Sequence, residues 1–173
     1  MKKIINKLNH IDFCCLKFIN LKLRCKPLDF IMTAITYLGS SLFSVLLLIF
    51  LFSIPKLQRL GKELFISLCV SNSIVIIIKF LTKRIRPFLK YDFLHVKTIG
   101  VDKVSSYPSG HTNIAFSIMT TVLLYLQTGY AYTLLIIPFL VGISRVYLGV
   151  HYPSDIITSM FIGTLSPIIV HFI

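Results

Sequence analysis

Three long stretches of this chain contain no charged side chain. They run from Phe30 to Ile54, from Thr112 to Ser144 and from Ile156 to Ile173, and Leu64 to Ile78 is a shorter fourth. About 20 apolar residues suffice for a helix to cross a hydrocarbon core of roughly 30 Å. The Thr112–Ser144 stretch, at 33 residues, is too long for one crossing and divides at Gln127-Thr128-Gly129. The pattern predicts an all-α integral membrane bundle of about five transmembrane helices, near 29–53, 62–85, 109–127, 131–148 and 153–172. Charged residues make up 14 % of the chain, against about 25 % in soluble domains. With a mean hydropathy of +0.84, disordered, collagen-like and disulfide-scaffold classes are excluded.

The 18 Lys+Arg against 6 Asp+Glu give a net charge of +12. In so apolar a chain that excess points to anionic lipid head groups or phosphate substrates rather than to nucleic acid. Residues 1–27 hold seven basic side chains, while Ile4, Leu8, Ile11, Cys15 and Phe18 recur at helical spacing. This segment reads as a basic amphipathic helix lying at the interface, followed by a membrane domain over 28–173. Lys17, Lys22 and Arg24 interrupt any cleavable signal sequence. Cys14, Cys15, Cys25 and Cys69 have no metal-ligating spacing, and no oligomeric state is legible.

Ionisable residues inside membrane spans are costly and call for a reason. Lys79 lies deep in an apolar helix, and Arg86 follows seven residues later, before Pro87. Ser109 and Gly110, behind Pro108, begin a helix whose free N–H groups would favour an anion, with His111 at its mouth. Ser144 and Arg145 end one span, and His151 opens the next with Asp155 four residues on. A carboxylate at that spacing can reach the imidazole, fix its tautomer and raise its basicity. Up-and-down topology returns all these residues to one membrane face. Three cations, a helix N-terminus, two imidazoles and one carboxylate describe a phosphate site with a nucleophile and an acid. No acidic cluster is available for Mg²⁺ or Ca²⁺, so no metal and no cofactor are expected.

KFLTKRIRP from Lys79, PSGH from Pro108 and SRVYLGVHYPSD from Ser144 together resemble the type 2 phosphatidic acid phosphatase superfamily. That family's lipid phosphatases share their site with vanadium haloperoxidases, and its pattern is K-x6-RP, PSGH and SR-x5-H-x3-D. The resemblance implies that His151 attacks phosphorus, Asp155 orients it and His111 protonates the leaving oxygen. It implies that Lys79, Arg86, Ser109, Gly110 and Arg145 hold phosphoryl oxygens, with Pro87, Pro108 and Ser144 as structural motif residues. The expected activity is metal-independent hydrolysis of a lipid phosphate or diphosphate through a phosphohistidine. Undecaprenyl diphosphate is favoured, then phosphatidic acid or phosphatidylglycerophosphate. A vanadate-dependent haloperoxidase and a non-catalytic lipid binder are the alternatives.

Lys83 and Arg84 read as side chains snorkelling to head groups. Lys90, Lys97 and Lys103 read as a solvated basic loop, and His10, His95 and His171 as interfacial packing. Orientation divides two arguments. The face bearing the site carries fourteen Lys+Arg against three, Lys56, Arg59 and Lys62, on the other, which by charge alone is cytoplasmic. The family resemblance implies an extracytoplasmic site in the cell membrane, and that is the expectation adopted.

Overall fold

In the computed structural model, which describes residues 2–97 and 105–173, all regular structure is helical. Helix α1 (Lys2–Lys17) runs into a π-turn at Phe18–Lys22. It is followed by α2 (Lys26–Thr36), α3 (Ser41–Ser53), α4 (Gln58–Thr82) and the short α5 (Pro87–Lys90). The chain closes with α6 (Gly110–Leu126), α7 (Ile136–Tyr147) and α8 (Pro153–Phe172). Lys103, and the side chains of Lys2, Lys3 and Ile4, lie outside the described residues.

Among the described residues, two helical stretches are long and apolar enough to cross a membrane: Pro55–Lys90, which contains α4, and Pro153–Phe172, which is α8. A third crossing follows if α2 and α3, bent by 54° at their junction, form one broken span. The protein is thus an all-α membrane bundle with two to three such helices. The segment Ala131–Tyr147 is apolar but shorter. Helix α6 buries Thr112, Asn113, Ser117, Thr120 and Thr121, because it packs against α4, α7 and α8. Its Asn113 Nδ2 donates to Ser71 Oγ at 3.1 Å and Asn72 Oδ1 at 3.2 Å, and Ser117 donates to Ser71 at 3.0 Å. A helix enclosed by its neighbours can carry such a polar stripe, since these side chains face partner helices rather than lipid.

Leu51, Leu60, Leu64, Leu68, Ile114 and Ile118 form the core between α3, α4 and α6. Helices α6 and α8 meet at Gly163, where an added Cβ would lie 2.8 Å from Phe116 Cβ and 2.5 Å from the Asn113 carbonyl oxygen. Only the missing side chain permits that approach.

The expected continuous helix over 29–53 is broken at Tyr37–Ser40. Ser40 is extended and caps α3 by accepting from the Phe43 N–H at 3.1 Å. The break seats Gly39 against the backbone of His111 and the side chain of Val141. Helix α4 stops at Thr82 rather than near Ile85, with Lys83 in the left-handed region (φ 45°) and its N–H bonded to Lys79 O.

The N-terminal segment leaves Leu8, Ile11, Cys15 and Phe18 exposed as one apolar stripe. Its other side is buried through Asp12, Leu16 and, in the π-turn, Asn20. Asn20 Nδ2 donates to Tyr147 O at 2.7 Å and His95 O at 2.8 Å, and Asn20 Oδ1 accepts from the His95 N–H. The segment therefore docks on the bundle.

Candidate active site

His151 sits in the turn between α7 and α8 and is 2 % exposed. Its Nδ1 lies 2.7 Å from the carbonyl oxygen of Ser106 and 3.4 Å from Asp155 Oδ2. A carbonyl only accepts, so Nδ1 carries the proton and Nε2 presents its lone pair. Arg86 Nη1 faces that Nε2 at 3.3 Å and also donates to Val150 O at 3.2 Å. Burial, then Arg145, Arg86 and Lys79, hold the imidazole well below its usual pKa, so it stays neutral. A neutral, Nδ1-protonated imidazole keeps its lone pair on Nε2, where it accepts from Arg86, and that is the protonation state a nucleophile requires.

Asp155 was expected to orient His151 directly. It is fully buried at the start of α8 and lies closest to other donors: Arg84 Nη1 at 2.5 Å on Oδ1 and the Tyr152 N–H at 2.9 Å on Oδ2. The shorter contact at Nδ1 is the Ser106 carbonyl.

The remaining motif residues converge from α4, α6 and α7. Ser109 caps α6, its Oγ accepting from Thr112 Oγ1 at 3.1 Å, and its N–H donates to the Asp155 carbonyl at 3.3 Å. Arg145, 1 % exposed, donates from Nη1 to Thr36 Oγ1 at 2.8 Å. The broken α2–α3 junction is what brings Thr36 there. Ser144 turns away and donates to Val141 O at 2.6 Å, a helix-internal bond. Pro87 and Pro108 are buried, and Pro108 follows a cis peptide bond.

Lys79, Gly110 and His111 line a cavity of about 500 Å³ together with Ser41, Ser44 and Asn72. Its outer wall includes Val45, Ile76 and Phe80, all exposed, so it opens sideways between α3 and α4. His111 Nε2 is buried without a hydrogen-bond partner. Among the described residues, no group of three or more His, Cys, Asp or Glu side chains could hold a metal ion.

Two charged residues at the site were read otherwise or missed. Arg84, expected to snorkel outward, points inward instead. Its Nη1 donates to Ser154 Oγ at 2.7 Å and to Asp155, its Nη2 donates to Asp12 Oδ2 at 2.6 Å, and its guanidinium stacks on Tyr152. It is drawn in because Asp12 and Asp155 are buried carboxylates that need a counter-charge. Asp12 passed unnoticed inside a basic segment, although an acid is rare in this chain. His10 and His95 are exposed, and His171 pairs with Glu63 at 3.1 Å.

The sequence profile of the PAP2 superfamily matches residues 61–173. The chain is 32 % identical over 123 residues to the undecaprenyl-diphosphatase of Sulfolobus acidocaldarius, covering 70 % of this chain and 56 % of that protein. Across three curated relatives, it spans between 32 % and 58 % of their length. Among solved structures, LpxE of Aquifex aeolicus superposes with a TM-score of 0.80 at 30 % identity, covering 93 % of this chain and 94 % of that one. The PAP2 type phosphatidylglycerolphosphate phosphatase of Bacillus subtilis gives 0.80 at 28 % identity, covering 95 % and 85 %. With the profile covering most of the chain and three complete motif blocks meeting at one buried histidine, this protein belongs to the PAP2 superfamily.

Proposed function

We propose that this protein is a metal-independent membrane phosphatase that hydrolyses a lipid phosphate or diphosphate through a phosphohistidine. The observation that carries the reading is the state of His151: Nδ1–H on the Ser106 carbonyl, and an unprotonated Nε2 that accepts from Arg86 Nη1 at 3.3 Å. In the reaction, Nε2 attacks phosphorus and the P–O bond to the leaving group breaks. His111, carrying a proton that arrives with the anionic phosphate and is held by its charge, gives that proton to the leaving oxygen. Lys79, Arg86, Arg145 and the α6 N-terminus at Ser109 and Gly110 stabilise the charge on the equatorial oxygens. Water, deprotonated by His111, then attacks phosphorus, and the P–N bond breaks to release phosphate and free His151. Asp155 and the Ser106 carbonyl stabilise the positive charge on the ring throughout.

The sideways opening between α3 and α4 supports a substrate that stays in the bilayer while its phosphate enters. We favour undecaprenyl diphosphate, the substrate class named for the archaeal relative. Phosphatidylglycerophosphate and phosphatidic acid come next. The arrangement we favour is five crossings, with α6 and Ala131–Tyr147 completing the set, residues 1–27 as an interfacial helix, and residues 28–173 as the membrane domain. We place the site on the extracytoplasmic side. Phosphate release by detergent-solubilised protein from a panel of these lipids tests the reading. Release from at least one supports it, and its absence with every lipid phosphate would leave a non-catalytic lipid binder.

A further inference from the structure

Helix α1 lies outside the three motif blocks, yet it sends one carboxylate into the neighbourhood of the catalytic turn. Asp12 is 5 % exposed and both of its oxygens are engaged. Oδ1 accepts the Ser154 N–H at 2.9 Å. Oδ2 accepts Ser154 Oγ–H at 2.5 Å and Arg84 Nη2 at 2.6 Å. Ser154 is the second residue of α8, so its N–H is one of the helix's first donors, which lack an intrahelical partner. A carboxylate there also favours the positive end of the α8 dipole.

The other end of the same guanidinium holds Asp155. The Arg84 backbone is tied to the 105–106 segment as well: its N–H donates to Ser105 Oγ at 3.0 Å, and its carbonyl accepts the Ser106 N–H at 2.9 Å. Ser106 is the residue whose carbonyl receives His151 Nδ1–H. Both groups that face Nδ1 are thus anchored through Arg84, and Arg84 is anchored by Asp12.

We infer that Asp12 is a positioning residue for catalysis, through which the N-terminal helix holds Arg84, Asp155 and the Ser106 carbonyl in register with His151. This rests on the phosphatase reading above, in which His151 is the nucleophile. A helix serving only as a membrane anchor would need no buried acid. Its outward Leu8 and Phe18 would suffice.

The test compares Asp12→Ala, Asp12→Asn and Arg84→Ala with an outward-face control, Leu8→Ser, on the lipid that the wild type hydrolyses. Misplacing a nucleophile's support predicts a fall in kcat of roughly ten- to a hundredfold for Asp12→Ala, with KM changed by less than about twofold. Asp12→Asn, which keeps an acceptor for the Ser154 N–H, gives an intermediate kcat, and Leu8→Ser leaves kcat unchanged. In the Arg84→Ala background, Asp12→Ala costs less than about twofold more, because its route is already cut. A wild-type kcat in Asp12→Asn, an effect confined to KM, or full additivity with Arg84→Ala would overturn the inference. If Asp12→Ala does not fold, the Asn variant decides alone.

A second readout is independent of turnover. The downfield Nδ1–H proton resonance of His151, assigned by its loss in His151→Ala, shifts or exchanges faster in Asp12→Asn and not in Leu8→Ser. An unmoved resonance in Asp12→Asn overturns the inference even if the wild type proves inactive on every lipid, an outcome that would sink the phosphatase reading instead.

Discussion

The Nδ1 of His151 rests 2.7 Å from the carbonyl of Ser106, while Asp155 Oδ2 stands 3.4 Å away. The tautomer of the candidate nucleophile is therefore set by a backbone group that no side-chain substitution removes. In a Ser-His-Asp triad, replacing the acid by its amide costs about 10⁴ in kcat because the wrong tautomer forms. Here the carbonyl still demands a proton on Nδ1. Asp155→Asn should leave measurable phosphate release, reduced by roughly 10²–10³, whereas His151→Ala should abolish it in protein that still inserts and folds. More than a trace of activity in His151→Ala would show that another group attacks phosphorus.

The same environment fixes the sign of a pH effect. Burial and three cations lower the His151 pKa below the ordinary 6.5. In the proposed reaction the neutral ring attacks, so the acid limb of kcat/KM due to His151 lies below pH 6.5, and activity persists as pH falls through that value. Stability runs the other way on acidification. Below about 6.5 the unfolded histidine binds a proton that the folded one refuses, so folding stability falls with pH in this window. A pH–rate profile in detergent whose acid midpoint sits at or above 6.5 would contradict the assignment.

How far the site was legible depends on where each residue sits relative to a helix end. Lys79, Arg86, Ser109, His111, Arg145 and His151 lie at or near termini, and up-and-down topology carries such positions to one face. Arg84 was misread for the same reason: a cation at a span end ordinarily snorkels to water. Its true partners are Asp155, 71 positions away, and Asp12, 72 positions away, and no local spacing announces them. The scarcity of acids was the signal available, since Asp29 and Glu63 are also paired, with Arg24 and Arg59. The break at Tyr37–Ser40 escaped notice because its cause, the close approach of Gly39 to His111, exists only in the folded bundle.

Divalent cations should be dispensable. In the proposed reaction the positive charge around the phosphate comes from Lys79, Arg86 and Arg145, and the described residues offer no gathered set of metal ligands. Turnover in excess EDTA should match that in Mg²⁺. Vanadate should inhibit by adopting a five-coordinate geometry at His151 Nε2. Activity lost in EDTA and restored by Mg²⁺ would require a different source of charge stabilisation.

The α6–α8 contact gives a stability prediction that is independent of chemistry. A methyl at Gly163 would meet the Asn113 carbonyl and Phe116 Cβ inside normal contact distance. Gly163→Ala should cost about 1–3 kcal/mol through overpacking, read as a lowered midpoint of thermal unfolding in detergent. Gly129→Ala, whose Cβ would meet nothing within 4 Å, is the matched control and should stay within about 0.5 kcal/mol of wild type. Equal midpoints for the two variants would mean that the helices separate freely at Gly163.

Orientation is the last expectation, and it sets family analogy against the charge rule. Fourteen Lys+Arg on the site-bearing face would place it in the cytoplasm if each charge were free to sample water. Several are not: Arg86 and Arg145 are buried at the site, and Arg84 is held by Asp12 and Asp155. Charges committed to partners inside the fold contribute less to topology than mobile ones, so the bias is weaker than its count. We expect the site to face outward, with Pro55–Lys62 inside. Cys14, Cys15, Cys25 and Cys69 are free and exposed, so labelling needs a background in which all four are replaced. In that background a cysteine at the exposed Lys97 should react in intact cells with a membrane-impermeant maleimide, and one at the exposed Gln58 should react only after the membrane is opened. The opposite pattern would put His151 in the cytoplasm and show that the committed arginines still direct insertion.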